Sequence, residues 1–130
     1  MKPILLAVLL ITVTSAACAE WVLYGHNDKF GVYTDPATMR LSGDRVKMWN
    51  MFGFNIAQVA AAGMAYLSAK TLNEYDCKDE RSRSLFFSWH SGRMGDGSIV
   101  YFHDGPPSNW RAISPSSVDE TLWKIACGKK

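Results

Sequence analysis

Histidine is the residue type in this chain best suited to bind a metal ion or transfer a proton, and there are three. His26 falls in a predicted turn, while His90 and His103 fall at predicted strand ends. No two of them have the spacing of a zinc motif, and only His103 has an acidic neighbour, Asp104. One histidine beside a turn aspartate is typical of a solvent-exposed surface. We therefore predict no metal site and no cofactor.

Nucleophilic and acid–base motifs are also missing. The chain has no Gly-x-Ser-x-Gly elbow, and the neighbouring acids Asp79 and Glu80 lie in a charged turn where solvation explains them. The glycine-rich segment 92–97 connects two predicted strands and does not precede a helix, so it lacks the geometry of a phosphate-binding loop. These patterns predict no catalytic residues and a protein that is not an enzyme.

The first nineteen residues have the pattern of an export signal. Lys2 supplies the positive start, residues 4–13 are apolar except for Thr12, and Ala17-Cys18-Ala19 offers small residues for cleavage before Glu20. The apolar run is about half as long as a membrane-spanning helix requires. We predict a signal peptide at 1–19 and a single domain at 20–130.

Cysteine placement then depends on cleavage, because Cys18 lies at the cleavage region and only Cys77 and Cys127 remain. Two thiols in an exported chain are expected to form a disulfide, and two separate buried thiols are the alternative. Cys18 could instead carry a lipid anchor, but Ser15 stands where a lipoprotein signal has a leucine-like residue. Ordinary cleavage after Ala19 fits the sequence better.

The charge balance argues against one class of partner. The chain has a formal net charge of +2, and removal of the leader takes away Lys2. A charge this small does not steer a polyanion strongly, so nucleic acid is not an expected partner.

Residues 66–90 are predicted to form two strands joined by the charged turn 78–81, and this hairpin positions Cys77. Strict alternation in the second strand would place Arg83, Leu85, Phe87 and Trp89 on one face and Ser82, Ser84, Phe86, Ser88 and His90 on the other. The first strand alternates less regularly, which predicts a bulge near Leu72.

The other elements are arranged around this hairpin. Strands are predicted at 20–24, 29–34, 45–55 and 98–103, with an edge contact at 110–113. Strand 45–55 should be central, with Val46, Met48, Phe52 and Phe54 on one face, and residues 56–65 are predicted to be an apolar loop. Asp35-Pro36 predicts a single helical turn.

The C-terminal segment predicts the only long helix. It should begin at Ser114-Pro115 and end at Gly128, with Val118, Leu122, Ile125 and Ala126 facing the sheet. The fold class is therefore α+β: an antiparallel sheet of about six strands, one helix packed on it, and one disulfide.

Two surfaces could bind a partner. Trp49 and Met51, if they lie opposite the helix, could combine with the apolar segment 56–65 into a patch for a protein or for a second copy of the chain. A core of large aromatics is the alternative reading for most of the five tryptophans. A set of basic residues could contact an acidic host ligand such as a glycosaminoglycan, although a solvated strand rim is the favoured explanation; they are Lys78, Arg81, Arg83 and Arg93.

Several short motifs follow one another in a specific order: Tyr66-Leu67-Ser68-Ala69-Lys70, Glu74-Tyr75-Asp76-Cys77-Lys78, Arg81 with Arg83, and 91–97. In this order they resemble the surface-adhesin protein E family of Gram-negative bacteria. The resemblance implies a small antiparallel sheet with a C-terminal helix held by the Cys77–Cys127 disulfide. It also implies an outer-membrane adhesin that binds host proteins such as vitronectin, laminin and plasminogen, and that forms dimers. The poor lipidation signal and the alanine-rich 56–65 segment depart from the family pattern.

The leading functional prediction is an exported binding protein located in the periplasm, at the outer-membrane surface or outside the cell. Host matrix or plasma proteins are the expected partners, and a membrane contact would require the lipid anchor at Cys18. The alternative prediction is a periplasmic structural or assembly factor that binds another envelope protein. The sequence identifies no ligand-binding residues.

Overall fold

A computed structural model describes residues 20–129 of the chain. The predicted leader at 1–19, including Cys18, lies outside these residues. The strands are β1 Val22–His26, β2 Phe30–Thr34, β3 Arg40–Ser42, β4 Arg45–Val59, β5 Ala65–Asp76, β6 Arg81–His90, β7 Ile99–His103 and β8 Arg111–Ala112. Two short 3-10 helices cover Pro36–Thr38 and Arg93–Gly95, and the helix α1 covers Val118–Cys127.

Within residues 20–129, all eight strands belong to one antiparallel sheet. Its main order is β1-β2-β4-β5-β6-β7, with β3 paired to β4 and β8 paired to β6. The predicted α+β class, the central position of β4, and the C-terminal helix with its disulfide are confirmed. The six strands of the main path match the prediction, and the short strands β3 and β8 extend it.

The prediction of an apolar loop at 56–65 is wrong. β4 continues to Val59 and β5 begins at Ala65, because Gln58 pairs with Tyr66 and Val59 with Ala65 beyond a register shift. Only residues 60–64 form the turn. Backbone pairing between the two strands therefore overrides the helix propensity of the alanines. The result is a long hairpin that ends in apolar residues.

A β-bulge in β6 makes the predicted alternation of that strand wrong. Leu72 pairs with Phe86 whereas Asn73 pairs with Ser84, so Leu85 is an extra residue. Residues before and after a bulge of this kind exchange faces. Arg83 therefore lies on one face of the sheet while Phe87 lies on the other. The sequence predicts a bulge near Leu72 of β5, and the structure has one at this point. The extra residue, Leu85, belongs to the partner strand β6.

The helix starts later than predicted. Ser116 has a positive φ of 60°, and Ser117 caps the helix by accepting a hydrogen bond from the Glu120 amide at 3.1 Å. Ser114 and Pro115 precede this turn and are not helical. Acidic Asp119 and Glu120 in the first turn and Lys124 in the last turn fit the helix dipole. Gly128 ends the helix in the left-handed conformation, as predicted.

The core lies between α1 and one end of the sheet. Its buried residues are Val32, Val46, Met48, Tyr75, Leu122, Trp123 and Ala126. Burial of each large apolar side chain stabilises the fold by about 1.5–3 kcal/mol. The Trp123 indole N–H also donates to the Asp76 carbonyl at 2.9 Å, and the Cys77–Cys127 disulfide lies beside it. Two different bonds thus attach the helix to the end of β5.

Candidate functional site

The helix-side face of the sheet also carries a group of large aromatic side chains, of which Phe30 and Phe52 pack against the helix-covered core. We call this group the aromatic stripe: Phe30, Phe52, Phe54, Tyr66, Phe87, Trp89, Tyr101 and His103. Its members touch one after another across five strands, from β2 to β7. The closest pairs are Tyr66 stacked on Trp89 at 4.7 Å between ring centroids and Trp89 against Tyr101 at 5.0 Å.

Strand register explains why these rings share a face. Phe52, Ala69, Trp89 and Tyr101 form one cross-strand row, and the small side chain of Ala69 leaves the indole of Trp89 open to its neighbours. None of the eight stripe residues is fully buried, and Tyr101 is 48% exposed. A contiguous aromatic surface of this kind is typical of a protein-binding site.

A polar row crosses the helix-side face on β2, β4 and β5. Thr34 pairs with Asn50, and Asn50 pairs with Thr71. Asn50 Nδ2 donates to the Tyr75 hydroxyl at 2.8 Å, and burial raises the pKa of that hydroxyl. Within residues 20–129, the Thr34 hydroxyl, the Asn50 carbonyl and the Thr71 hydroxyl have no hydrogen-bond partner. The row interrupts the apolar surface on β4 and β5, whereas Phe30 and Phe52 connect the aromatic stripe to the core.

The opposite face carries a cluster of charges around Trp110. The guanidinium carbons of Arg45, Arg81 and Arg83 lie 5.1, 4.6 and 4.4 Å from the centre of its ring. Such contacts combine a cation–π attraction with stacking of the planar guanidinium.

Two buried carboxylates neutralise part of that cluster. Arg81 contacts Asp76 at 3.0 Å, and Arg83 contacts Glu74 at 2.7 Å. The backbone amide of Asp79 holds the pKa of Asp76 below its usual value, and Arg81 acts in the same direction against the effect of burial. Asp76 is therefore a carboxylate at neutral pH.

Trp49 lies on this second face, two positions along β4 from Lys47. Its ring meets Phe86 edge-on at 5.6 Å. It also lines a cavity of about 260 Å³ together with Trp21, Asp35, Thr38 and Lys70. This cavity has a largely apolar wall with polar groups at its margin.

His90 lies on the same second face, covered by residues 91–98. Its Nε2 is 2.7 Å from the Ser88 hydroxyl oxygen, and both side chains are buried. Burial lowers the pKa of His90, Lys70 adds to that effect and Asp96 opposes it. A serine bonded to a histidine resembles part of a catalytic triad, but burial keeps substrate from this serine.

The predicted apolar patch forms only in part. Trp49 and Met51 do lie opposite the helix, but Met51 is buried and Trp49 is only partly exposed. The exposed apolar residues of segment 56–65 are at the hairpin end, where Ile56 is 75% and Val59 is 69% exposed. Of the five tryptophans, only Trp123 is buried, so the interpretation of most tryptophans as core residues is wrong.

The predicted basic set is divided. Arg81 and Arg83 meet at Trp110, whereas Arg93 donates to the Phe54 carbonyl near the other end of β4. Lys78 lies with Arg45 and Arg81 around a shallow cavity. Within residues 20–129, no three histidine, cysteine or acidic side chains are grouped as a metal site would require.

The bulge in β6 explains why neither the aromatic stripe nor the place of Arg83 in the Trp110 cluster is apparent from the sequence. Unbroken alternation in β6 would place Arg83 beside Phe87, and the bulge at Leu85 separates them. The sequence signal that could have shown this is the paired side-chain chemistry: Glu74 and Asp76 on β5 match Arg83 and Arg81 on β6.

Comparison with known proteins places these features in a family. The chain matches no curated protein. Solved structures of Haemophilus influenzae protein E share its fold: crystal form II has a TM-score of 0.63 at 10% identity, covering 75% of this chain and 80% of that one. The protein from a non-typeable strain has a TM-score of 0.62 at 10% identity, covering 88% and 79%.

Residues 21–128 match the family described as surface-adhesin protein E. That match spans nearly all of the described residues, from the first strand to the C-cap of α1. In the described part of the chain, no helix has the length and apolarity needed to cross a bilayer. Family membership implies binding to other proteins and an exported or surface location. The chain belongs to the surface-adhesin protein E family.

Proposed function

We propose that this chain is an exported, non-enzymatic adhesin that binds a host matrix or plasma protein through the aromatic stripe. The observation that carries the proposal is the continuous set of partly exposed aromatic rings on the half of the sheet face that α1 leaves uncovered. Export would use the predicted leader at 1–19, and the mature domain would begin at Glu20.

The physical argument concerns what the stripe would gain from a partner. Tyr and Trp supply large contact areas at a low cost in side-chain entropy, and they dominate the binding energy of many protein interfaces. Trp89 and Tyr101 are already held by stacking with their neighbours, so little side-chain freedom is lost on binding.

β7 offers a matched pair of variants for a test. Tyr101 belongs to the stripe and is 48% exposed, while its neighbour Phe102 points to the other face and is 55% exposed. Binding to immobilised vitronectin and laminin should fall at least about tenfold for Tyr101→Ala, because truncation of an aromatic hot spot costs more than about 1.4 kcal/mol. Phe102→Ala should bind like the unaltered protein. Equal binding by both variants would contradict the assignment of the stripe.

The hairpin end favours a second candidate function, that of a periplasmic assembly factor. Ile56, Val59 and Met64 expose apolar side chains at the turn between β4 and β5. An envelope protein could bury this end. A photo-crosslinker at position 56 should then capture one discrete envelope protein in intact cells, and the same crosslinker at position 124 should not. Crosslinking that is equal at both positions would remove this candidate.

A homodimer is a further use that the stripe could serve. Sedimentation velocity of the purified protein should then show a dimer that Tyr101→Ala dissociates and Phe102→Ala preserves.

Surface biotinylation of intact cells separates display at the outer membrane from a periplasmic location. Mass measurement of the mature N-terminus separates a lipid-modified Cys18 from a free Glu20.

A further inference from the structure

The face of the sheet opposite α1 carries charges in two cross-strand rows. Arg45, Asp76 and Arg81 form one row across β4, β5 and β6. Lys47, Glu74 and Arg83 form the next row, and β3 adds Arg40 beside Lys47. Each row thus has a carboxylate at its centre and cations on both sides.

The two carboxylates do not neutralise all of these cations. Asp76 and Glu74 contact Arg81 and Arg83. In the part of the chain from 20 to 129, neither Arg45, Lys47 nor Arg40 has a carboxylate within ion-pair distance, and all three are exposed. A net positive strip therefore runs from β3 to β4, although the whole chain is nearly neutral.

The strip is preorganised. Arg45 lies against the Trp110 ring, and Arg40 donates to the carbonyls of Ala37 and Met39 at 3.1 and 2.9 Å. Fixed guanidinium groups lose less conformational entropy when they bind an anion. Arginine also binds sulfate and carboxylate oxygens with two parallel hydrogen bonds.

An aromatic cavity continues the strip along β4. Arg45, Lys47 and Trp49 point to the same face, and four residues of strand span about 13 Å. Trp49 and Trp21 then line the cavity described above together with Thr38, Lys70 and Asp35, whose carboxylate accepts a hydrogen bond from the Ala37 amide. The electron-rich face of an indole attracts the polarised C–H groups of a sugar ring.

We infer that this face binds a sulfated polysaccharide, with sulfate groups on Arg45, Lys47 and Arg40 and a sugar ring against Trp49. The length of the site requires an oligomer, and its separate cations suit anionic groups that are spaced apart.

Nucleic acid fits less well, because it carries about one charge per 1.7 Å of duplex and would bring phosphates against Asp76 and Glu74. A lipid surface fits less well because the nearest exposed apolar residue, Leu41, lies on the opposite face. This site shares no residue with the aromatic stripe. A result that disproves polysaccharide binding here therefore leaves the proposed role of the stripe untouched, and the reverse also holds.

The experiment uses the disulfide-bonded protein and heparin immobilised on a sensor surface. Arg45→Gln combined with Lys47→Gln should weaken binding about tenfold at about 0.15 M salt and reduce the salt dependence of binding. The matched control is Lys29→Gln with Lys129→Gln, which removes the same charge from exposed positions elsewhere. The control should change affinity less than about twofold.

A second variant tests the aromatic part of the site. Trp49→Ala should weaken heparin binding several-fold, and Trp49→Phe should restore most of it. Urea denaturation of every variant checks that the fold is retained. If Trp49→Ala is unfolded, Trp49→Leu provides the same comparison, because it removes the ring and keeps an apolar side chain.

Competing ligands define the chemistry. Desulfated heparin should not bind. The inference is overturned if heparin fails to bind, or if both double variants lose the same affinity. It is also overturned if single-stranded DNA or phosphatidylglycerol vesicles bind as tightly as heparin and show the same losses, because the site would then be a general anion site.

Discussion

Two halves of one sheet face differ in exposure although both are rich in large apolar residues. Under α1, Tyr75, Met48 and Leu122 are fully or almost fully buried. Elsewhere on the same face, the aromatic stripe lies partly exposed. The difference arises because the disulfide and the Trp123 hydrogen bond fix the helix at one end of the sheet. The covered half stabilises the fold and the uncovered half remains available to a partner.

The largest expected effect comes from releasing the helix. Replacing Cys77 and Cys127 with alanine opens a 50-residue loop, and the chain-entropy relation gives a loss of about 4 kcal/mol. Urea denaturation of the double variant measures this loss. A loss of less than about 1 kcal/mol in the free energy of unfolding would contradict this prediction. It would mean that packing, and not the disulfide, holds the helix on the covered half.

The Tyr75 hydroxyl should have the next largest effect. Tyr75→Phe leaves the buried Asn50 amide and the Asn73 amide without their shared acceptor, at a cost of about 1–3 kcal/mol. Tyr101→Phe in the stripe removes a hydroxyl of the same chemistry and should change the free energy of unfolding by less than about 0.5 kcal/mol. Equal losses for the two variants would remove the distinction between the halves.

The pH dependence of stability tests the opposite face. Burial lowers the pKa of His90 in the folded state, so the unfolded chain binds more protons once the pH falls below the ordinary histidine value of about 6.5. Stability should therefore decrease as the pH falls from about 6.5 toward the folded-state pKa, by at most about 1.4 kcal/mol per pH unit. Urea midpoints at several pH values measure it, with His90→Gln as the control that should lose this component. An unchanged slope in His90→Gln would show that another group is responsible.

The smallest effect is expected at the hairpin end. Ile56→Ser exposes a polar side chain where an apolar one was already 75% exposed, so the free energy of unfolding should change by less than about 0.5 kcal/mol. Thermal denaturation measures this change. A loss above about 1 kcal/mol would indicate that the hairpin end is buried by a second copy of the chain.

Much of the fold could be predicted because local patterns and long-range pairing agree. Val46 and Met48 alternate with polar residues in β4, and the hairpin around 78–81 has an unmistakable charged turn. The capped helix with its C-terminal glycine was equally clear, although Ser117 rather than Ser114 is its cap. The strand at 56–59 could not be predicted, because pairing with β5 decides it and helix propensity points elsewhere.

The binding surfaces depended on register, which the sequence did not reveal. One extra residue at Leu85 decides whether Arg83 and Phe87 share a face. The position of Trp110 against three arginines depends on the chain returning past β6 after the prolines Pro106 and Pro107. Residue types alone therefore indicated an apolar and a basic surface, but the residues assigned to each surface were only partly correct.

We propose that the uncovered half of the sheet face binds a partner and that the covered half stabilises the fold. Two quantities should be measured for Tyr101→Ser and Phe102→Ser: the free energy of unfolding and binding to a matrix deposited by host epithelial cells. We expect nearly unchanged stability in both variants and a loss of binding only in Tyr101→Ser. Retained matrix binding by Tyr101→Ser, or an equal loss in Phe102→Ser, would contradict it.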